Sequence, residues 1–267
     1  MATKAITVTS GKGGVGKTTA TANIAVALAS MGQKVTCIDS DIGLRNLDVV
    51  MGLENRIVYD LVDIVEERCR PRQAMIRDKR FENLFLIPAA QTRDKNAVSQ
   101  KDMNKLVEEL REEMDWVLVD SPAGIERGFR NAIAPADEIL IVTNADVSAV
   151  RDADRIIGII EAEQKGPPKL IINRIKPQMI KRGDMINTDD VLELLAIKLL
   201  GVVPEDEQVI VSTNIGRPIV LDEKSRAGQA FKNIARRLMG DDIPLLDMDY
   251  RDDIFHRLSK VFRSGGE

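Results

Sequence analysis

Gly11, Lys12, Gly13, Gly14, Val15, Gly16, Lys17 and Thr18 stand in the order G-x-x-x-x-G-K-T, a spacing suited to cradling a polyphosphate. Glycines let successive backbone N–H groups turn inward around phosphate oxygens, and a helix starting behind them adds its partial positive charge. Lys17 is then placed to reach the β and γ phosphates, the Thr18 hydroxyl to bind Mg²⁺, and Thr19 to bond the α-phosphate. The loop follows an apolar run and opens a helical pattern, the context this motif requires. A bare G-x-G-x-x-G would specify neither the lysine nor the hydroxyl. These residues imply ATP and Mg²⁺ as cofactors and ATP hydrolysis as the reaction.

Two further apolar runs end in carboxylates, Ile38-Asp39-Ser40-Asp41 and Trp116-Val117-Leu118-Val119-Asp120, at the sheet edge where α/β proteins bind ligands. Asp120 is placed to hold Mg²⁺ through water, since that ion keeps much of its hydration shell. Gly124, just beyond, can offer its N–H to a γ-phosphate and move when that phosphate leaves. Phosphoryl transfer needs a positioned water and neutralised charge more than covalent chemistry. Asp41, facing water and metal with Asp39 behind it, is the choice for orienting that water, and Asn46 lies close in the same segment. Either aspartate of the 39–41 pair could instead be a polar cap ending its strand. Base recognition is expected from later strands, at Asn173 and Arg174 and at Pro204 and Asp206, unless these are ordinary loop polarity.

The elements that must carry these groups alternate. Short β-branched runs at 4–9, 35–39, 84–88, 116–120, 138–143, 169–173 and 199–203 predict strands buried on both faces. Helical spacing predicts helices over 17–31, 59–67, 101–114, 147–164, 188–196 and 225–239. Residues 42–56, 91–100 and 176–187 read as loops. The fold expected is an α/β P-loop NTPase, a mostly parallel sheet with helices on both faces, plus a C-terminal amphipathic helix. The divisions expected are an ATPase domain at 1–240, an acidic linker at 241–253 and an amphipathic tail at 254–267.

With 267 residues, 44% of them hydrophobic and 30% charged, the chain suits one domain with a sizeable core. A net charge of −4 with no long basic run gives no nucleic-acid footprint. Cys37 and Cys69 have no metal or disulfide spacing, which suits a reducing compartment, and no leader is expected at the N-terminus. No apolar run reaches ~18 residues, so any membrane contact is expected to be peripheral. In the tail, Ile254, Phe255, Leu258, Val261 and Phe262 share an arc of roughly 120°, with Arg257, Lys260 and Arg263 on the remainder. That is the pattern of an interfacial helix on anionic lipid.

Lys12 adds a second lysine where a simple P-loop needs none. This Lys-Gly-Gly-x-Gly-Lys-Thr form resembles the deviant Walker A ATPases of the ParA/MinD family. The likeness continues through residues 39–48 and 120–126 to the terminal helix, most of all with the family's division-site branch. The resemblance implies that Lys12 crosses a dimer interface to the partner's nucleotide, and that the positions around 173–174 and 204–206 hold adenine. It implies an ATP-bound homodimer that is cytoplasmic but reversibly peripheral on the inner face of the cell membrane. Such a dimer recruits a MinC-like inhibitor and is released by a MinE-like activator of hydrolysis. Ser148, Arg151, Asp152 and Asp154 resemble the helix where those two partners compete, although Ser148 would also serve as an N-cap with acids in the first turn. Flagellar-number and DNA-partition ATPases of the same family are the alternative functions, while an iron–sulfur reductase of the family would need cluster cysteines that Cys37 and Cys69 do not supply.

Overall fold

The computed structural model describes residues 3–94 and 96–248. Its elements run β1 (Lys4–Thr9), α1 (Lys17–Ser30), β2 (Val35–Asp39), α2 (Leu47–Met51), α3 (Leu61–Val65), α4 (Pro71–Ala74), β3 (Ile76–Arg77) and β4 (Leu84–Ile87). They continue with α5 (Gln100–Arg111), β5 (Trp116–Asp120), α6 (Arg127–Ile133), β6 (Glu138–Asn144), α7 (Val147–Ala162), β7 (Lys169–Ile175), α8 (Pro177–Arg182), α9 (Thr188–Leu195), β8 (Lys198–Pro204), α10 (Gln208–Asn214) and α11 (Arg226–Met239). Among the described residues eight strands form one sheet in the order β3-β4-β2-β5-β1-β6-β7-β8, with only β3 antiparallel to its neighbour. From β1 the chain winds to one side through β2, β4 and β5, then crosses to the other through β6, β7 and β8. The winding reverses at β1, so the loop after β1 lies at the crevice where such sheets bind ligands.

Alternate side chains of each strand enter opposite cores. Ile6, Val8 and Leu118 join α1 and α11 on one face, while Ala5, Val117 and Val119 join α5 on the other. A third cluster sets α6, α7 and α9 against β6 and β7. Helix α1 is buried on nearly every side, and its small residues, Ala20, Ala22, Ala25, Ala27 and Ala29, let sheet and α11 close on it together. We expect Leu28→Ala in this helix, a side chain with no exposed surface, to cost about 2–5 kcal/mol. Urea denaturation would show this as a lower midpoint at unchanged slope.

All seven expected strands are present. The two-residue β3 escapes a reading based on runs. Helix α2 lies inside the expected loop at 42–56 and α8 inside that at 176–187. Helix α8 buries no residue, so it has no apolar stripe to be read; Pro177 opens it and left-handed Gly183 ends it. Helix α5 begins at Gln100 because Ser99 and Asp102 form a capping box.

The first part of the expected linker, residues 241–248, is tethered to the domain at a few points while most of its residues stay exposed. Arg237 donates to the carbonyls of Ile243 and Pro244 at 3.0 and 2.6 Å and to that of Leu200 at 3.0 Å. Leu246 packs with the α11 face and Met248 with the α7–α9 face, so the segment passes around the β8 edge and covers it. Residues 249–267, which hold the end of the expected linker and the whole expected tail at 254–267, lie outside the described residues.

Candidate functional site

The loop at 11–18 wraps the carboxyl end of β1 and opens α1. Gly14 and Gly16 have φ of 80° and 97°, a region glycine enters without strain. Nothing lies within 4 Å of the position a Cβ would take at Gly13 or Gly14. The cradle is therefore open where phosphate oxygens would approach backbone N–H groups. At Gly16 a Cβ would fall 2.2 Å from Nδ2 of Asn173, which donates to the Val15 carbonyl at 2.8 Å. Asn173, expected to read a base, is thus committed through its amide nitrogen to holding the loop against β7.

Lys17 is buried and its Nζ lies 2.8 Å from Asp120 Oδ1 and 3.4 Å from Thr18 Oγ1. The Thr18 hydroxyl donates to Asp120 Oδ2 at 2.7 Å and the Thr21 hydroxyl to Oδ1 at 3.2 Å. Thr21 belongs to no motif; its signal is a hydroxyl one turn beyond Lys17 on a helix whose remainder is mostly alanine and aliphatic. A cation and a carboxylate buried in direct contact attract each other strongly, against the cost of taking both out of water. An entering phosphate would draw Lys17 away, and a divalent cation bridging Thr18 and Asp120 would replace its charge.

Asp39 and Asp120 sit opposite each other in the β2–β5 register. Asp39 is buried, and its carboxylate accepts from the backbone N–H of Asp41 at 3.0 Å, Asn46 at 3.2 Å and Leu47 at 3.1 Å. Burial, then the charge of Asp120, pushes Asp39 up to about 7 against the lowering effect of those donors. Expected as a catalytic group, Asp39 instead organises the loop that presents half-buried Asp41, and it ties down the start of α2. Asn46 contributes a backbone N–H, and its side chain donates to the Leu44 carbonyl. Ser40 donates to the Asp120 carbonyl at 2.7 Å, joining the two carboxylate-bearing strands at their tips. Two carboxylates brought side by side at the strand ends concentrate negative charge where a divalent cation would be favoured. Among the described residues no cluster of three or more His, Cys, Asp or Glu side chains forms a metal cage. The donor set fits Mg²⁺, which takes many of its ligands from phosphate and water.

Gly124, at φ 92°, donates its N–H to the Ser10 carbonyl at 3.2 Å, one exchangeable bond. Lys12 is exposed and reaches Ser148 Oγ at 3.5 Å, away from the Lys17–Asp120 pair. Ser148 is not the N-cap of α7. Asp146 is, accepting from Ala149 N at 2.9 Å, and no acid stands in the first turn. Arg151 and Asp154 are exposed on the same helix and Asp152 is half-buried. Helix α7 lies directly on the loop, since a Cβ at Gly11 would be 2.3 Å from the Asp152 carbonyl oxygen.

On the far side Arg174 and Pro204 line a cleft with Thr19, Val209, Ile210 and Phe231. The sequence reading places no element at Val209 and Ile210, and Phe231 falls on the periodic stripe of the helix expected over 225–239, so none of the three is marked as a ligand contact. Asp206 lines it too, but its carboxylate accepts from Ser225 Oγ at 2.6 Å and Gln208 N at 2.9 Å. It therefore fixes the starts of α10 and α11 around the cleft.

Residues 6–219 match the model of the CobQ/CobB/MinD/ParA nucleotide binding domain. The chain belongs to the MinD/ParA family. It is 52% identical over 262 residues to the septum site-determining protein MinD of Synechocystis, covering 97% of this chain and 98% of that protein. It is also similar to MinD in the MinC:MinD cell division protein complex of Aquifex aeolicus, with 51% identity, a TM-score of 0.86 and coverage of 91% and 99%. A third likeness is to MinD complexed with Mg-ADP from Pyrococcus horikoshii, at 28% identity and a TM-score of 0.81, covering 89% and 96%. This member of the MinD/ParA family is a nucleotide-binding ATPase, and its sheet order and loop geometry are those on which that activity is built.

We expect Lys12→Ala to keep nucleotide binding, because Lys17 still faces its own cradle, and to lose ATP-dependent dimerisation and stimulated turnover. Light scattering with ATP would check it, and a variant that dimerises and hydrolyses like wild type would leave Lys12 an ordinary loop charge.

Proposed function

We propose that this MinD/ParA-family ATPase places the cell-division site by cycling between a soluble monomer and an ATP-bound, membrane-attached homodimer. The observation that carries the reading is the buried Lys17–Asp120 pair with half-buried Thr18 bonded to it beneath an open glycine cradle, and a second lysine, Lys12, exposed beside it. Thr18 and Asp120 would hold Mg²⁺, with Asp41 facing it. The ion, when bound, neutralises charge on the phosphate oxygens. Lys17 holds the β and γ phosphates, Asp41 orients the attacking water, and Asn46 shapes the segment that carries Asp41. Gly124 exchanges its bond to Ser10 for one to the γ-phosphate and releases it after hydrolysis. Lys12 leaves Ser148 for the nucleotide of the second copy. Catalysis of this kind is positioning and charge stabilisation, which rigid strand ends supply.

The exposed face of α7 bearing Ser148, Arg151 and Asp154 is the docking surface for a MinC-like inhibitor and a MinE-like activator. In support stand the Aquifex complex of MinC with MinD and the contact of α7 with the loop at Gly11. The amphipathic pattern of residues 254–263 supports attachment to anionic lipid on the inner face of the membrane. Size-exclusion chromatography with Mg²⁺ and either ATP or ADP tests the core of the proposal. The expected result is a dimer with ATP alone and turnover abolished by EDTA. A monomer under both conditions would remove the dimer-coupled mechanism.

A further inference from the structure

The C-terminal ends of α2 and α10 cross at two glycines. Gly52 and Gly216 have φ of 69° and 62°, values that favour glycine on conformation alone. They also touch. A Cβ on Gly52 would lie 2.6 Å from the Gly216 carbonyl oxygen, and one on Gly216 would lie 2.4 Å from the Gly52 α-carbon. Arg80, in the turn between β3 and β4, bridges the crossing. Its Nη2 donates to the Met51 carbonyl at 2.7 Å and its Nη1 to the Gly216 carbonyl at 3.1 Å. The first is among the terminal carbonyls that a helix end leaves without an intrahelical partner. The guanidinium is itself held by Asp78, whose fully buried carboxylate accepts from Nε at 3.0 Å and from Nη2 at 2.6 Å. A planar fork can satisfy a carboxylate and two carbonyls at once, and a single ammonium cannot.

The two elements so joined belong to opposite ends of the site. Helix α10 lines the cleft of Arg174 and Pro204 through Val209 and Ile210. The start of α2 is bound by the N–H groups of Asn46 and Leu47 to Asp39, next to Asp41. We propose that Arg80, Gly52 and Gly216 form a clasp through which a purine base seated against α10 sets the position of the segment carrying Asp41 and Asn46. Arg80 is a positioning residue in this scheme and touches no reacting atom. The clasp makes the state of one side of the nucleotide felt on the other through a contiguous packed contact, the physical condition for coupling between sites. The inference rests on reading the α10 cleft as the base site.

Hydrogen exchange of the full-length protein with and without ADP tests it, using Arg80→Lys and Gly216→Ala. The lysine keeps a cation beside Asp78 but gives up the double carbonyl contact, whereas the alanine forces the crossing apart and leaves the Asp78–Arg80 pair intact. In the wild type, ADP is expected to slow exchange several-fold at both 208–214 and 47–53. In the variants the slowing at 208–214 remains and that at 47–53 is lost. Comparing each variant with and without ADP separates this from a general loosening, which raises exchange in both conditions. Slowing at 47–53 that survives in both variants overturns the clasp. Wild type in which ADP slows exchange at 11–18 but not at 208–214 removes the base-site reading, and the clasp with it.

Discussion

Asp41→Ala is expected to cut ATP turnover by ~10² or more, the scale of losing one group that orients or deprotonates the attacking nucleophile, while nucleotide binding survives. The cradle, Lys17, Thr18 and Asp120 should stay in place, because Lys17, Thr18 and Thr21 all bond the Asp120 carboxylate. The loop should keep its shape as well. What Asp41 donates to Asp39 is its backbone N–H, which alanine retains. The ATP-bound dimer should therefore accumulate and the membrane-bound fraction rise. Single-turnover hydrolysis together with light scattering measures both quantities. Normal turnover would make Asp41 only the polar end of its strand.

The other large effect is expected at the end of the chain. In the proposed amphipathic tail, five apolar side chains would bury only part of their surface at a lipid interface, and so short a helix would cost free energy to form. One tail should therefore bind weakly. The proposed dimerisation would join two, making the second insertion intramolecular and raising avidity roughly 10²–10⁴-fold with no new contact. Vesicles rich in anionic lipid should sediment the protein with ATP and not with ADP. Truncation before Ile254, or Phe255→Asp, should abolish that sedimentation and leave basal ATPase unchanged. Equal sedimentation with both nucleotides, or after truncation, would sink the idea.

Much of this molecule is legible in one dimension because its governing interactions are local. Strands buried on both faces read as nearly continuous apolar runs, as in Val35–Asp39 and Trp116–Asp120, and the cradle is one continuous stretch whose conformation follows from its own glycines. Those two facts establish the parallel sheet, the order of its strands along the chain, and the residues facing a polyphosphate. The roles of polar side chains followed less well. Ser148 has the chemistry of an N-cap, yet Asp146 two residues earlier takes the position, because the cap is set by where β6 delivers the chain to α7. Asp39 and Asp41 are chemically identical and one residue separates them. Burial and three converging backbone donors make one a scaffold and leave the other half-exposed beside the cradle. Asn173 and Asp206 lie where a base reader was expected, but each is bound to protein atoms brought near by strand pairing rather than by sequence proximity. The sequence by itself therefore determined the fold class, the phosphate loop and the kind of chemistry, since backbone geometry and hydrophobic period act over a few residues. Only the tertiary structure decided which carboxylate faces the reaction, how Lys12 rests against α7, and that Arg80 binds α2 to α10, because each of these is a contact between segments that meet only once the sheet has closed.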